Sequence, residues 1–219
     1  MVIGGGKFGE RAIALLREKG DEVFLIDPDA ACRGRSLLDS DDFFIQEEAS
    51  RSFPTILRLK PELLVPAAPR HLVAEWMVAR FGFRASTAGL ARALAGMPAH
   101  VVDNGSAASG IATLSLAEKG QVCPETCPGL PDTCALTGKA KSAPLFELLE
   151  NALHDSFDLV SILVPVSLGS GLGALSMERV VSLAEEIQKK TPATIAIATS
   201  SECHGVIYCG IRPPGDLKS

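Results

Sequence analysis

The sequence predicts an α/β protein: a parallel sheet in the first half, then a second α/β half that carries a cysteine-rich loop. Three observations carry that expectation. Glycines cluster between a short β-forming pair, Val2-Ile3, and an apolar stripe of helical spacing. Apolar strand-like runs then alternate with helical stretches through about the first hundred residues. From Gly120 the periodicity stops, and three cysteines follow in a stretch rich in Pro, Gly and Thr.

The chain has 219 residues, 47% of them hydrophobic, enough for one large domain or two small ones. A division into residues 1–102 and 103–219 is expected, with the cysteine loop at 120–143. The formal net charge of -5 argues against a general nucleic-acid or bilayer binder, since both want a basic face. No basic, apolar leader opens the chain, so a cytoplasmic protein with reduced thiols is expected. Leu159 to Met177 has the length of a membrane span but contains Pro165, four serines and three glycines. It reads instead as a buried strand, a glycine turn and a helix start.

The first elements follow in order. Val2-Ile3 is a clipped strand, as if the true start lay a few residues upstream. Ala12, Ile13, Leu15 and Leu16 give a helical stripe that stops at Gly20. Glu22 to Ile26 reads as a buried parallel strand with Asp27 at its end. Between them, Gly4-Gly5-Gly6-Lys7-Phe8-Gly9 fits G-x-G-x-x-G, and Asp27 lies 18 residues past Gly9, against an expected ~20.

The chemistry of that order is specific. Gly4 allows a tight turn, Gly6 lets the backbone approach a pyrophosphate, and Gly9 lets helix and strand pack closely. Lys7 and Phe8 open the helix, whose unpaired N–H groups and positive dipole end suit phosphates. Asp27 would accept hydrogen bonds from ribose hydroxyls and repel a 2′-phosphate, which favours NAD over NADP; Arg33 and Arg35 leave NADP open. The stretch VIGGGKFGERAIALLREKGDEVFLIDPD resembles the nucleotide-binding domains of the siroheme-synthase and potassium-conductance-regulator families. The resemblance covers about residues 1–100 and implies a Rossmann-like fold and a bound dinucleotide, not a reaction.

Phe43 to Ile45 is expected as a third strand and Pro61 to Pro66 as a fourth, ending in Ala67-Ala68-Pro69-Arg70-His71. Ligands of open parallel sheets bind beyond the carboxyl ends of strands, which would bring Arg70 and His71 near the nucleotide. His71 is the candidate catalytic acid–base group, because imidazole titrates near neutrality. The competing reading is that this segment simply starts the next helix, with Trp76 in the core.

The segment GQVCPETCPGLPDTCALTGKAKSAP holds Cys123, Cys127 and Cys134 at C-x3-C-x6-C. Long loops without periodicity are usually functional or disordered. Thiolates bind zinc or the iron of an iron–sulfur cluster, and Pro124 and Pro128 stiffen the wrap. Cys203, after the apolar strand Thr194 to Thr199, is the expected fourth ligand, with His204 and Cys209 as alternatives. A redox pair of Cys123 and Cys127, or cysteines that are merely structural, are the competing readings.

In the second half, Asp158 to Val166 reads as a strand, SLGSGLGALSM as a glycine turn, and Met177 to Lys189 as a helix, repeating the order of the opening. Gly169, Gly171 and Gly173 would cradle a phosphate or serve close packing equally well. Asp103 to Ser106 reads as a turn between the halves. Two functions are compatible with these features. One is an NAD-linked oxidoreductase acting on an unidentified small molecule through His71. The other is a non-catalytic redox- or nucleotide-sensing subunit with a protein partner, which includes the case of a homodimer.

Overall fold

The computed structural model describes residues 1–106, 108–169 and 171–213. Along the chain run β1 (Val2–Ile3), α1 (Lys7–Glu18), β2 (Leu25–Asp27), β3 (Phe44–Gln46), α2 (Phe53–Leu59), β4 (Leu63–Pro66), α3 (Leu72–Phe81) and β5 (Arg84–Ala85). Then follow α4 (Thr87–Ala95), β6 (Val102–Ser106), β7 (Ile111–Ser115), α5 (Leu145–Leu153), β8 (Leu159–Leu163), β9 (Val166–Gly169), β10 (Leu172–Ser176), α6 (Met177–Lys190), β11 (Thr194–Ser200) and β12 (His204–Ile211). The fold is α/β, with two mixed sheets.

The first sheet has the order β3-β2-β1-β4-β10-β9. Its first four strands are parallel, with Val2 opposite Leu25 and Val65. Successive residues alternate between the two faces. Val2, Leu25 and Val65 bury against Ala12, Ile13 and Leu16 of α1. Ile3, Ile26 and Leu64 face a second core with Trp76, Met77, Val180, Leu183 and Ile187 of α3 and α6.

The second sheet has the order β6-β7-β12-β11-β8, with β5 paired to β12. Ile195, Ile197 and Tyr208 meet that same central core from the other side. The opposite face, through Ala196, Ala198, Ile207 and Cys209, packs on Leu90 and Ala93 of α4 and Leu145, Leu149 and Leu153 of α5. The layers are therefore α1, first sheet, α3 with α6, second sheet, then α4 with α5. Consecutive burial along β11 follows from helices on both its faces.

Two expectations are corrected. The Leu159–Met177 stretch is not strand, glycine turn and helix in parallel order. It is β8, then an antiparallel β9–β10 pair, and β10 runs antiparallel to β4. Gly169 (φ 96°) and Gly171 (φ 72°) adopt left-handed backbone, which reverses the chain without an intervening helix. The first sheet is thus not wholly parallel, and it takes strands from the second half of the chain. Likewise, Asp103 to Ser106 is not a turn but part of β6, where Asn104, Gly105 and Ser106 pair with Thr113, Ala112 and Ile111 of β7. Ladder hydrogen bonds there override the turn preference of its residues. Among the described residues, no helix is long and apolar enough to cross a membrane.

Candidate functional site

The glycine turn lies between β1 and α1. Gly4 has φ 100°, and a Cβ on it would stand 2.9 Å from the backbone nitrogen of Ala68, just past β4. A Cβ on Gly9 would overlap the carbonyl oxygen of Gly4, so the helix can start only this close with hydrogen at that position. Gly6 differs from both, because nothing lies within 4 Å of where its Cβ would be. It is the N-cap of α1, and no side chain caps that end. Open space therefore faces the amino end of a twelve-residue helix.

Asp27 ends β2 beside this turn. Its Oδ2 accepts from the backbone N–H of Gly5 at 2.6 Å, and its Oδ1 accepts from Asp29 N–H at 2.8 Å. Each oxygen keeps a further lone pair. Cys32 also belongs here: a Cβ on Gly5 would overlap its sulfur. Burial first, then the nearby Asp27 charge, pushes the Cys32 thiol up.

His71 caps α3 by position but not by hydrogen bond. The residue is 5% exposed, with Nε2 3.3 Å from the Thr199 hydroxyl of β11. Nδ1 has no hydrogen-bond partner among the described residues. Burial lowers the ring's pKa to about 4, so it is neutral at physiological pH. The imidazole joins the two sheets across the core and does not open to solvent. Arg70 is exposed and pairs with Glu75 at 2.9 Å. Trp76 sits in the core, stacked on Phe53 and donating to the Ala49 carbonyl.

The cysteine loop has a defined base. Leu116 N–H donates to the Cys203 carbonyl at 2.8 Å, and Leu145 N–H donates to the Glu202 carbonyl at 3.0 Å. The excursion thus leaves from and returns to the β11–β12 turn that carries Cys203. Within it, Thr133 bridges Ala140, Cys134 N–H donates to Lys139 O, and Gly138 N–H donates to Cys134 O. The small hairpin so formed directs the Thr137 hydroxyl, then the backbone N–H groups of Thr137 and Leu136, at the Cys134 sulfur. These hold its thiol below the usual range. Cys123 moves the other way, raised by burial and then by the proximity of Cys127, Cys134 and Cys203.

The four expected thiols are therefore electrostatic neighbours. Yet among the described residues no group of three or more His, Cys, Asp or Glu side chains is arranged to hold a metal ion. The donors suit a soft ion, but their present spacing does not close on one. Of the two alternative fourth ligands, Cys209 is placed elsewhere, and His204 faces Ser115 at the base of the loop. Cys209 is fully buried in the outer core, its thiol pushed to about 12. His204 Nδ1 lies 3.1 Å from the Ser115 hydroxyl.

One residue not singled out by sequence links the two regions. Glu125, between Cys123 and Cys127, reaches Lys7 Nζ at 2.8 Å and Arg11 at 3.6 Å. The Lys7 hydrogen bond holds its carboxyl below the usual range. The tip of the cysteine loop thus rests on the first turns of α1, beside the open position at Gly6.

Comparison with known proteins places these features in a two-part family. The family profile AF_1314_N, described as the N-terminal domain of an uncharacterized protein, matches residues 1–72. Its C-terminal counterpart, AF_1314_C, matches residues 73–211. An uncharacterized protein of Archaeoglobus fulgidus is 30% identical over 217 residues, covering 94% of this chain and 96% of that protein. No solved structure matches.

Proposed function

The chain belongs to the family that these two profiles describe, and we propose that it is a dinucleotide-binding regulatory protein whose cysteine loop takes up a soft metal. The observation that carries the nucleotide half is the open position at Gly6, on the uncapped amino end of α1, with Asp27 at the end of the neighbouring strand. The amides of the first turn would face a diphosphate, and Asp27 would accept from the ribose hydroxyls with its remaining lone pairs. The parallel order β3-β2-β1-β4 supports a Rossmann-like reading of this half. NAD is favoured over NADP by the negative charge of Asp27.

For the metal half, Cys123, Cys127, Cys134 and Cys203 are the ligands. The group would be zinc or an iron–sulfur cluster, both of which thiolates hold. The Thr137 hydroxyl and the backbone N–H groups beside it hold the Cys134 thiol below its usual range. Among the described residues these side chains do not form a metal-holding group, so uptake would draw the neighbouring thiols together around the ion. A sensing role is favoured over hydride-transfer catalysis by His71. An acid–base group must reach its substrate, and this ring is buried, neutral and bonded to Thr199.

Calorimetric titration with NAD, paired with elemental analysis of anaerobically isolated protein, tests both halves. Saturable heat with a raised melting temperature, and zinc or iron in the isolated protein, are expected. No heat and no melting shift at millimolar NAD would overturn the nucleotide half; metal-free protein that binds neither zinc nor iron would overturn the other.

A further inference from the structure

We propose that Glu125 is an internal stand-in for phosphate, holding Lys7 and Arg11 until a nucleoside diphosphate moiety displaces it. The inference rests on the dinucleotide reading above. Lys7 and Arg11 are one turn apart on α1 and so share a face. One carboxylate serves both, Oε1 toward Lys7 at 2.8 Å and Oε2 toward Arg11 at 3.6 Å. This is how two cations clamp a phosphate, and it occurs beside the open Gly6 position.

The loop that delivers Glu125 is held at both ends. Its base is fixed to the Cys203 turn through Leu116 and Leu145. At its tip, the Glu125 carbonyl lies so near Gly171 that a Cβ on that glycine would overlap it. Gly171 lies in the connection between β9 and β10, and the Leu168 carbonyl of β9 accepts from Lys19, which caps the carboxyl end of α1, at 3.2 Å. The contact is therefore built by three parts of the fold that are distant in sequence. Its ionic part is solvent-accessible, with Lys7 57% and Glu125 48% exposed. An ion pair of that kind shifts an equilibrium by no more than about fivefold, weak enough for a ligand to displace.

The test is the affinity of the full chain and of Glu125→Gln for NAD and for adenosine. Glu125→Gln is expected to bind NAD about threefold to fivefold more tightly, with adenosine, which has no phosphate, unchanged. Adding Lys7→Gln to Glu125→Gln is expected to weaken NAD again. Equal NAD affinity in the parent and in Glu125→Gln overturns the competition while leaving the nucleotide reading intact. If adenosine tightens as much as NAD, phosphate is not what Glu125 opposes, and the proposal also falls. Absence of NAD binding in both proteins overturns the proposal and the nucleotide reading together.

Discussion

A Cβ on Gly9 would overlap the carbonyl oxygen of Gly4, whereas one on Gly6, three residues earlier, would meet nothing within 4 Å. The two glycines therefore have separable roles. Gly9→Ala must push α1 away from the turn, and overpacking of this kind costs typically about 1–3 kcal/mol. Gly6→Val loses about 1 kcal/mol at the N-cap but would fill the space that the proposed diphosphate occupies. Chemical denaturation and NAD titration of both variants separate the effects. Gly9→Ala should lower stability. Gly6→Val should fold near normally, keep its metal content and lose NAD. Undiminished NAD binding by Gly6→Val would remove the turn from the site.

The opening was legible because strand, turn, helix, strand and acid each leave a local mark, and all fall within thirty residues. The Gly169–Gly173 stretch was not, since glycines after a strand precede a parallel crossover helix and a hairpin alike. What decides is pairing with β4, more than a hundred residues upstream. The thiol neighbourhood was half legible. C-x3-C-x6-C is local, but Cys203 joins it through backbone bonds of Leu116 and Leu145 that no side-chain pattern encodes. Glu125 was invisible for the same reason. Its charge complements Lys7 and Arg11, but only the tertiary fold brings residues 118 positions apart together.

Asp27 has two duties that one substitution will expose. Asp27→Ala leaves the Gly5 amide without its acceptor, and losing a hydrogen bond to a charged group costs about 1.5–3 kcal/mol. On the proposed reading it also removes a charge that would oppose a 2′-phosphate. NAD affinity should fall about tenfold or more, because the ribose hydroxyls would lose their own hydrogen bonds to a charged acceptor, and the preference for NAD over NADP should relax. Competition titration of the two dinucleotides reads the ratio; an unchanged preference would place the ribose elsewhere.

His71 makes stability depend on pH in a defined window. Its folded pKa of about 4 lies below the ordinary 6.5. Between those values the unfolded chain holds a proton that the folded chain lacks. Stability is therefore full above about 6.5 and falls as pH drops toward 4, by about 3 kcal/mol across the window. His71→Gln, which keeps a polar group near the Thr199 hydroxyl, should flatten this part of the profile. Melting temperatures from pH 7 to 4 for both proteins provide the check. Parallel curves would mean that the imidazole titrates normally.

Cys127 and Cys209 should behave oppositely. Cys127→Ser removes one of the four neighbouring thiols and should reduce bound zinc or iron with little loss of stability, since the residue lies in an irregular, half-exposed loop. Cys209→Ser places a hydroxyl in the core formed by α4, α5 and the second sheet, at a cost of about 1–3 kcal/mol, without touching metal content. Elemental analysis beside denaturant unfolding distinguishes the two. Metal loss from Cys209→Ser but not from Cys127→Ser would reverse the ligand assignment.

Glu125 stands between two of those thiols, so if Cys123 and Cys127 close on an ion as proposed, the carboxylate would move relative to Lys7 and Arg11. Metal and dinucleotide are then linked. Whatever factor zinc applies to the affinity for NAD, NAD must apply to the affinity for zinc, because the four states form a closed cycle. If closure draws Glu125 off α1, zinc tightens NAD, by no more than the roughly fivefold effect of an exposed ion pair. NAD titrations of zinc-loaded and chelated protein, and zinc titrations with and without saturating NAD, should return equal factors. In Glu125→Gln both factors should fall to one, since the carboxylate is the group that the two sites share. A zinc effect that survives in Glu125→Gln would place the linkage elsewhere in the fold, with the Gly171 backbone contact as the next element to alter.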